Sequence, residues 1–452
     1  MTAAVASALP GSLSFSRGVH PPERKGLAAD AAIEVVPTPK QVTIALLQHT
    51  GAPNEQTVKN RQELALGDVI GQTDAFISAP VHASINGKAA NGGAATLPNG
   101  RRVPVVPVRA AGEQLEGQAL FDEIYGGEWP HHGLDQYAPD QIVAAIREAG
   151  IVGLGGAAFP THVKLSPPEG KAVDTVLLNG SECEPYLTAD YRVMVEAPQP
   201  IVTGALLAAR AVGASSVIVG IEDNKPEAVA AMTEAANGTG VRVVAVKTKY
   251  PMGGEKQLIP AVLDREVPTG GLPLDVGVVV LNVGTAAAVA RAVVRGKPLT
   301  HRVVTISGAG IATPKNLLVP VGITYGELID YCGGLRPDAS RIVVGGPMMG
   351  FALGDLGAPV TKGTSGVTIL TRDEVHEQDK RACVRCGRCV DVCPLNLVPT
   401  KLAMASRHGD WDLAAQYHLT ACMECGCCAY ICPSRIPLVQ LIRVGKAQIP
   451  KD

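Results

Sequence analysis

Between Cys383 and Pro433 the chain spells one short pattern twice. The first copy reads Cys383-Val-Arg-Cys386-Gly-Arg-Cys389-Val-Asp-Val-Cys393-Pro394. The second reads Cys422-Met-Glu-Cys425-Gly-Cys427-Cys428-Ala-Tyr-Ile-Cys432-Pro433. Each copy is C-x2-C-x2-C-x3-C-P, and each position of the second lies 39 residues after its counterpart. Nine of the eleven cysteines fall in this stretch. Nothing else in the sequence restricts the fold so tightly, because the sulfurs must be gathered at fixed intervals onto shared centres. Such clustering points to metal, not a disulfide framework, and to a reducing compartment.

The spacing has a chemical reason. Three thiolates two residues apart let a tight loop wrap three irons of a [4Fe–4S] cubane. The fourth begins a helix and, in two-cluster ferredoxins, turns to the other cluster. Cluster one would then take Cys383, Cys386, Cys389 and Cys432, and cluster two Cys422, Cys425, Cys428 and Cys393. Proline after the fourth cysteine suits the first turn of a helix, where a missing N–H is harmless. Gly387 and Gly426 let backbone N–H groups approach the sulfide. Zinc is the competing metal, but zinc knuckles pair CxxC units at longer gaps without this run-on triplet. Disulfides are the remaining alternative. Cys427, a ninth cysteine inside the repeat, reads as a spare thiol.

The 452 residues are enough for roughly three domains. A formal charge of −2 gives no support to a nucleic-acid or polybasic-membrane role. No run approaches the ~18 apolar residues of a spanning helix, and the apolar N-terminus lacks a basic region before it. Any membrane attachment is therefore expected to be by association.

Residues 1–30 read as an N-terminal tail, with His20 a surface histidine. Residues 31–110 hold short strand-like runs (Gln41–Leu47, Asp68–Ile70, Phe76–Ile77, Arg102–Val108) between glycine-rich turns, an all-β module. This part is similar to the barrel–sandwich of biotinyl and lipoyl carriers. Thr73-Asp-Ala-Phe76 stands where such carriers keep a modifiable lysine, so a structural or docking module is expected, not a swinging arm. Residues 110–137 read as irregular, and His131-His132 as a loop pair lacking further ligands.

Residues 138–275 alternate helix-like and strand-like runs, the pattern of a parallel sheet. Asp140–Gly150 reads as a helix with Asp140 as its cap. Four glycines follow within Gly150–Gly156, a bare backbone whose N–H groups could cradle a phosphate or lie against a flavin. Lys164 could neutralise the phosphate. The strand run Asp174–Asn179 ends in Gly180-Ser-Glu182-Cys183-Glu184, and polar strand ends are where α/β sheets put ligands. Tyr250-Pro-Met-Gly-Gly254-Glu255 and Asn282-Val-Gly-Thr285 are further strand-end loops. Residues 276–370 read as a β-grasp-like (SLBB) module in which Lys362–Gly366 is a turn. Residues 372–446 are the helical two-cluster domain. The whole is a multidomain α/β chain.

Several segments together resemble the C subunit of the Rnf-type ion-translocating ferredoxin:NAD⁺ oxidoreductase complex. They are Gly18-Val-His-Pro-Pro22, Gly155-Gly-Ala-Ala-Phe-Pro-Thr-His-Val-Lys164, Asn179-Gly-Ser-Glu-Cys-Glu-Pro-Tyr-Leu-Thr-Ala-Asp190, Gly220-Ile-Glu-Asp-Asn-Lys225, Tyr250-Pro-Met-Gly-Gly-Glu-Lys256, Gly345-Gly-Pro-Met-Met-Gly350 and the double cysteine motif. The middle region is also similar to the flavin- and NADH-binding subunit of respiratory complex I. The resemblance implies FMN against Gly155, Gly156, Ala157, Lys164, Asn179, Glu182, Tyr250, Gly254, Asn282 and Thr285. It implies NAD(H) above it, near Phe159, Glu184 and Glu255. Where the complex I relative has an arginine in its glycine loop, this chain has Leu154.

The same resemblance implies an electron-transferring subunit at the cytoplasmic face of the inner membrane, held by other subunits of the complex. One of these would be a ferredoxin-like iron–sulfur subunit. A flavin converts hydride to single electrons, so it belongs between a nicotinamide and a cubane. No nucleophile or general-base triad is needed, and none is found. The rival readings are a cobalamin-reducing flavoprotein of bacterial microcompartments and a flavin-free electron wire. The first typically begins near the glycine loop, whereas here about 140 residues precede it.

Overall fold

A computed structural model describes residues 10–375 and 380–449. At its centre is a four-stranded parallel sheet in the order Arg242–Val246, Ser216–Glu222, Thr175–Gly180, Val278–Asn282. Val176, Leu177 and Leu178 are fully buried, as befits a strand with helices on both faces. Pro198–Val212 and Val283–Arg295 cover one face. They pack so closely that a Cβ at Gly204 would lie 1.7 Å from Ala286 O. Each ends at a left-handed glycine, Gly213 (φ 72°) and Gly296 (φ 62°). Glu255–Leu263 covers the other face, where Leu258, Ile259 and Val262 join Leu177 and Val280.

The sheet fixes where a ligand belongs. From Thr175–Gly180 the chain steps outward through Ser216–Glu222 to Arg242–Val246, then returns to pair Val278–Asn282 on the opposite edge. The strand order reverses between Thr175–Gly180 and Val278–Asn282, which opens a crevice at their carboxyl ends.

The other units surround this sheet. Gln41–Ala45, Arg102–Ala110, Gly87–Ala89, Glu63–Leu64 and Gly93–Thr96 form one sheet of the N-terminal module. Glu55–Gln56, Val69–Gln72 and Val81–His82 form the other, with Val42, Ile44, Ile70 and Val106 between them. A six-stranded mixed sheet carries the helix Tyr325–Tyr331. The C-terminal unit is helical, and Leu402, Ala414, Leu419 and Ile442 pack beside Cys389, Cys393 and Cys428.

Several expectations shift. Residues 10–30 are pinned to the α/β unit, through Leu13 N to Ala261 O (2.7 Å), Val19 paired with Tyr250, and Lys25 Nζ on the carbonyls of Glu182, Glu184 and Leu187. Ile33–Val35 joins the six-stranded sheet beside Lys315–Pro320, not the barrel. Val278–Asn282 and the following helix belong to the parallel sheet, not to the β-grasp-like unit. Phe76–Ile77 is an exposed loop, and Gly117–Ile124 within the supposedly irregular stretch is a helix. The helix read from Asp140 is capped at Ala138 with Pro139 as its first residue. Small, alternating or capless segments carry too little local signal to fix such pairings.

Candidate functional site

The glycine loop lies across the crevice. Gly155, Gly156 and Ala157 are exposed, and a Cβ on Gly156 would meet nothing within 4 Å. Gly155 is closely backed: its Cβ would lie 3.0 Å from Asn282 Nδ2. Leu154 N donates to Thr285 Oγ1 at 2.9 Å, which ties the loop to the start of the helix Val283–Arg295. Asn282 caps that helix by accepting from Thr285 N at 3.2 Å. Its amide also donates to Asp190 Oδ2 at 2.6 Å. Burial, and then the nearby Glu182, push the Asp190 carboxyl up to about 7.

Across the crevice Lys164 Nζ donates to Val280 O (3.2 Å) and lies 3.7 Å from Glu255 Oε2. Asn179 Nδ2 donates to Gly253 O at 2.7 Å. The structure thus brings Gly155, Lys164, Asn179, Gly254, Glu255 and Asn282 to the carboxyl end of the sheet, with Gly156 and Ala157 exposed and Phe159 half-buried. Thr285 and Tyr250 are buried and shape it from behind. Bare backbone, a helix N-terminus and a cation together fit a planar ring with an anionic phosphate.

Two carboxylates expected to meet FMN or NAD(H), Glu182 and Glu184, are engaged within the protein. Glu182 accepts from Asp190 N (2.8 Å) and Tyr191 N (3.1 Å), capping the helix Ala189–Glu196. Glu184 accepts from Met348 N (3.1 Å) and Met349 N (2.8 Å), and burial raises it to about 7. Both therefore hold backbone in place. Lys362, in the turn that precedes the strand Gly366–Thr371, is fully buried and donates to Pro80 O (2.6 Å) and Gly150 O (2.7 Å). Burial lowers its amine to about 7.

One functional residue carries no sequence signal. Arg302, buried on the strand His301–Ser307, reaches Leu154 O at 3.4 Å and also Lys362 O. The β-grasp-like unit thereby holds the glycine loop from behind, through its backbone.

The structure places Cys393 of the first motif copy beside the cysteines of the second. Cys393, Cys422, Cys425, Cys427 and Cys428 line one apolar cavity. Burial raises the thiols of Cys393, Cys422 and Cys428, whereas the hydrogen bond with Cys427 lowers that of Cys425. Among the described residues no three His, Cys, Asp or Glu side chains converge on a single ion. Thiols spread round a cavity suit the corners of a cubane. Cys383 and Cys386 are exposed, so the two cysteine centres differ in depth.

The second centre abuts the crevice. Tyr250 Oη donates to Cys425 O at 2.6 Å, and a Cβ on Gly254 would lie 2.6 Å from Met423 Cε. Gly253 N donates to Cys183 Sγ at 3.4 Å, and Cys183 packs with Tyr250, Cys425 and Cys427. Cys427 is fully buried there. Gly426 approaches the backbone of Met348, where a Cβ would lie 2.6 Å from its carbonyl oxygen.

Four family models match in chain order. They are the RnfC barrel sandwich hybrid domain (residues 13–113), the Nuo51 FMN-binding domain (146–291), the SLBB domain (303–352) and the 4Fe-4S dicluster domain (382–436). The chain is 45% identical over 436 residues to the C subunit of the proton-translocating ferredoxin:NAD⁺ oxidoreductase complex of Clostridium ljungdahlii, covering 96% of this chain and 94% of that one. It is 42% identical to the Na⁺-translocating counterpart of Acetobacterium woodii, covering 96% and 97%. It is 41% identical to the C subunit of the ion-translocating oxidoreductase complex of Rhodobacter capsulatus, covering 97% and 83%. Fold, glycine crevice, paired cysteine centres and full-length similarity agree: this chain belongs to the family of C subunits of ion-translocating ferredoxin:NAD⁺ oxidoreductase complexes.

Proposed function

We propose that the chain is the NAD(H)-oxidoreducing subunit of such a complex, passing electrons between NAD(H) and a ferredoxin-like iron–sulfur subunit. FMN would lie in the crevice of Gly155, Gly156, Ala157, Lys164, Asn179, Gly254 and Asn282, its phosphate facing Lys164 or the N-terminus of Val283–Arg295. NAD(H) would enter from the open side, near Phe159 and Glu255. Cys422, Cys425, Cys428 and Cys393 would hold one [4Fe–4S] cluster, and Cys383, Cys386, Cys389 and Cys432 the other. When bound, the flavin supplies the conversion between a two-electron hydride and single electrons.

The chain's own work is placement. Thr285 accepts from the N–H of Leu154 and Arg302 donates to its C=O, fixing two successive peptides, so the glycine loop presents its N–H groups without rearranging. Tyr250 ties the crevice wall to the cysteine loop of the second centre. That one contact carries the reading, because it makes the crevice and the buried centre neighbours across a single side chain.

No described helix is long and apolar enough to cross a membrane. Attachment at the cytoplasmic face of the inner membrane would then come through the other subunits. The test is anaerobic purification with FMN, iron and sulfide assays, followed by NADH addition. The reading expects flavin and about eight irons per chain, with NADH bleaching the visible iron–sulfur absorbance. Intact clusters without flavin, unresponsive to NADH, would leave an electron wire in its place.

A further inference from the structure

We propose that the exposed cysteine loop at Cys383–Arg388 is a docking face for an acidic one-electron carrier protein. This rests on the electron-transfer reading above and adds where, and by what chemistry, the outside partner binds.

The two motif copies serve different ends. In the second copy, Met423, Glu424 and Cys427 all work inside the protein. Met423 reaches Gly254, Cys427 is buried beside Tyr250, and Glu424 is bonded to Arg443 (2.8 Å) and Lys446 (2.7 Å). The positions 39 residues earlier hold Val384, Arg385 and Arg388, all exposed, with Val384 67% so. One half of the duplication is thus turned onto the crevice and the other onto solvent.

The outward half is also basic. Lys380, Arg381, Arg385 and Arg388 are exposed, and none has an ion-pair partner among the described residues. Arg17 joins them, its Nη1 donating to Val390 O at 2.7 Å. The carboxylate within 380–391 is Asp391, while Glu377 and Asp379 lie outside the described residues. Among the described residues of this strip, five cations stand against that one carboxylate. Arginines around an exposed apolar residue are interface composition, and their forks pair with carboxylates. A partner with carboxylates ringing its own cluster would be steered here. The cluster that Cys383, Cys386, Cys389 and Cys432 would hold would supply a one-electron acceptor for the reduced carrier. No bond forms or breaks, and no proton need move.

The test uses the full chain with clusters and flavin in place. A small acidic [4Fe–4S] ferredoxin, chemically reduced, is mixed with wild type and with the Arg385→Glu/Arg388→Glu variant, and cluster bleaching is timed across ionic strength. Wild type should react fast at low salt and slow steeply as salt rises. The variant should be about tenfold slower or more at low salt, with a flattened salt dependence, the scale of electrostatic steering. Reduction by the cationic methyl viologen radical should not slow. If iron and sulfide show that the variant lost a cluster, Lys380→Glu/Arg381→Glu, outside the cysteine loop, should give the same pattern.

Equal slowing with ferredoxin and viologen, or a salt dependence unchanged in both variants, would overturn the docking face. So would variants that lose binding to anionic phospholipid vesicles while keeping normal ferredoxin rates, because the strip would then face lipid. NADH that fails to reduce wild-type clusters would instead sink the electron-transfer reading itself.

Discussion

Lys164→Ala isolates the flavin crevice from the rest of the protein. Its amine sits 3.2 Å from Val280 O and 3.7 Å from Glu255, with about a third of the side chain exposed. A surface pair of this kind contributes about 0.2–1 kcal/mol, so its loss leaves the fold standing. A charge-assisted hydrogen bond to a bound phosphate is worth about 1.5–3 kcal/mol. Glu255 competes for the same amine, which moves the expectation to the lower half of that range. At about 1.4 kcal/mol per decade, FMN should bind about 10–50-fold more weakly. Glu255→Gln removes the competitor and a negative charge beside the phosphate, and should tighten FMN binding. The assay is quenching of FMN fluorescence on titration into flavin-depleted protein, with iron and sulfide measured alongside. Unchanged affinity in Lys164→Ala, or weaker binding in Glu255→Gln, would refute the placement of the phosphate beside Lys164.

Three further outcomes follow from the geometry. Cys393→Ser should damage the cluster of Cys422, Cys425 and Cys428, and EPR showing loss only of the Cys383 centre would refute the crossed ligation. Arg302→Met strips the donor from two buried carbonyls at about 1–3 kcal/mol each; melting temperature and FMN affinity should fall while cluster content is retained, and unchanged affinity would release Arg302 from its role. Asp190, raised to about 7 in the fold from an ordinary 3.8, favours the folded state at low pH. That contribution is whole below the ordinary value and is lost as pH rises to the folded one, so the melting temperature should decline between about pH 5 and 7, and decline less in Asp190→Asn.

The sequence by itself determined the chemistry that depends on spacing. C-x2-C-x2-C-x3-C-P is a local loop geometry, so its eight ligand candidates could be read without knowing the fold. The glycine run and the apolar strands ending in Asn179 and Asn282 were legible for the same reason, since bare backbone and buried β-runs are local properties. Only the tertiary structure decided what each carboxylate and cation does. Glu182 and Glu184 resemble ligand-binding acids in sequence, yet one caps a helix and the other holds the Met348–Met349 turn, 164 residues away from Glu184 along the chain. Arg302 lies 148 residues from the loop it supports. The fold also decided which copy of the motif faces the crevice, because repeats alike in spacing differ only in what packs against them. Long-range contacts come from how whole elements bury their apolar faces, and no window of neighbouring residues records that.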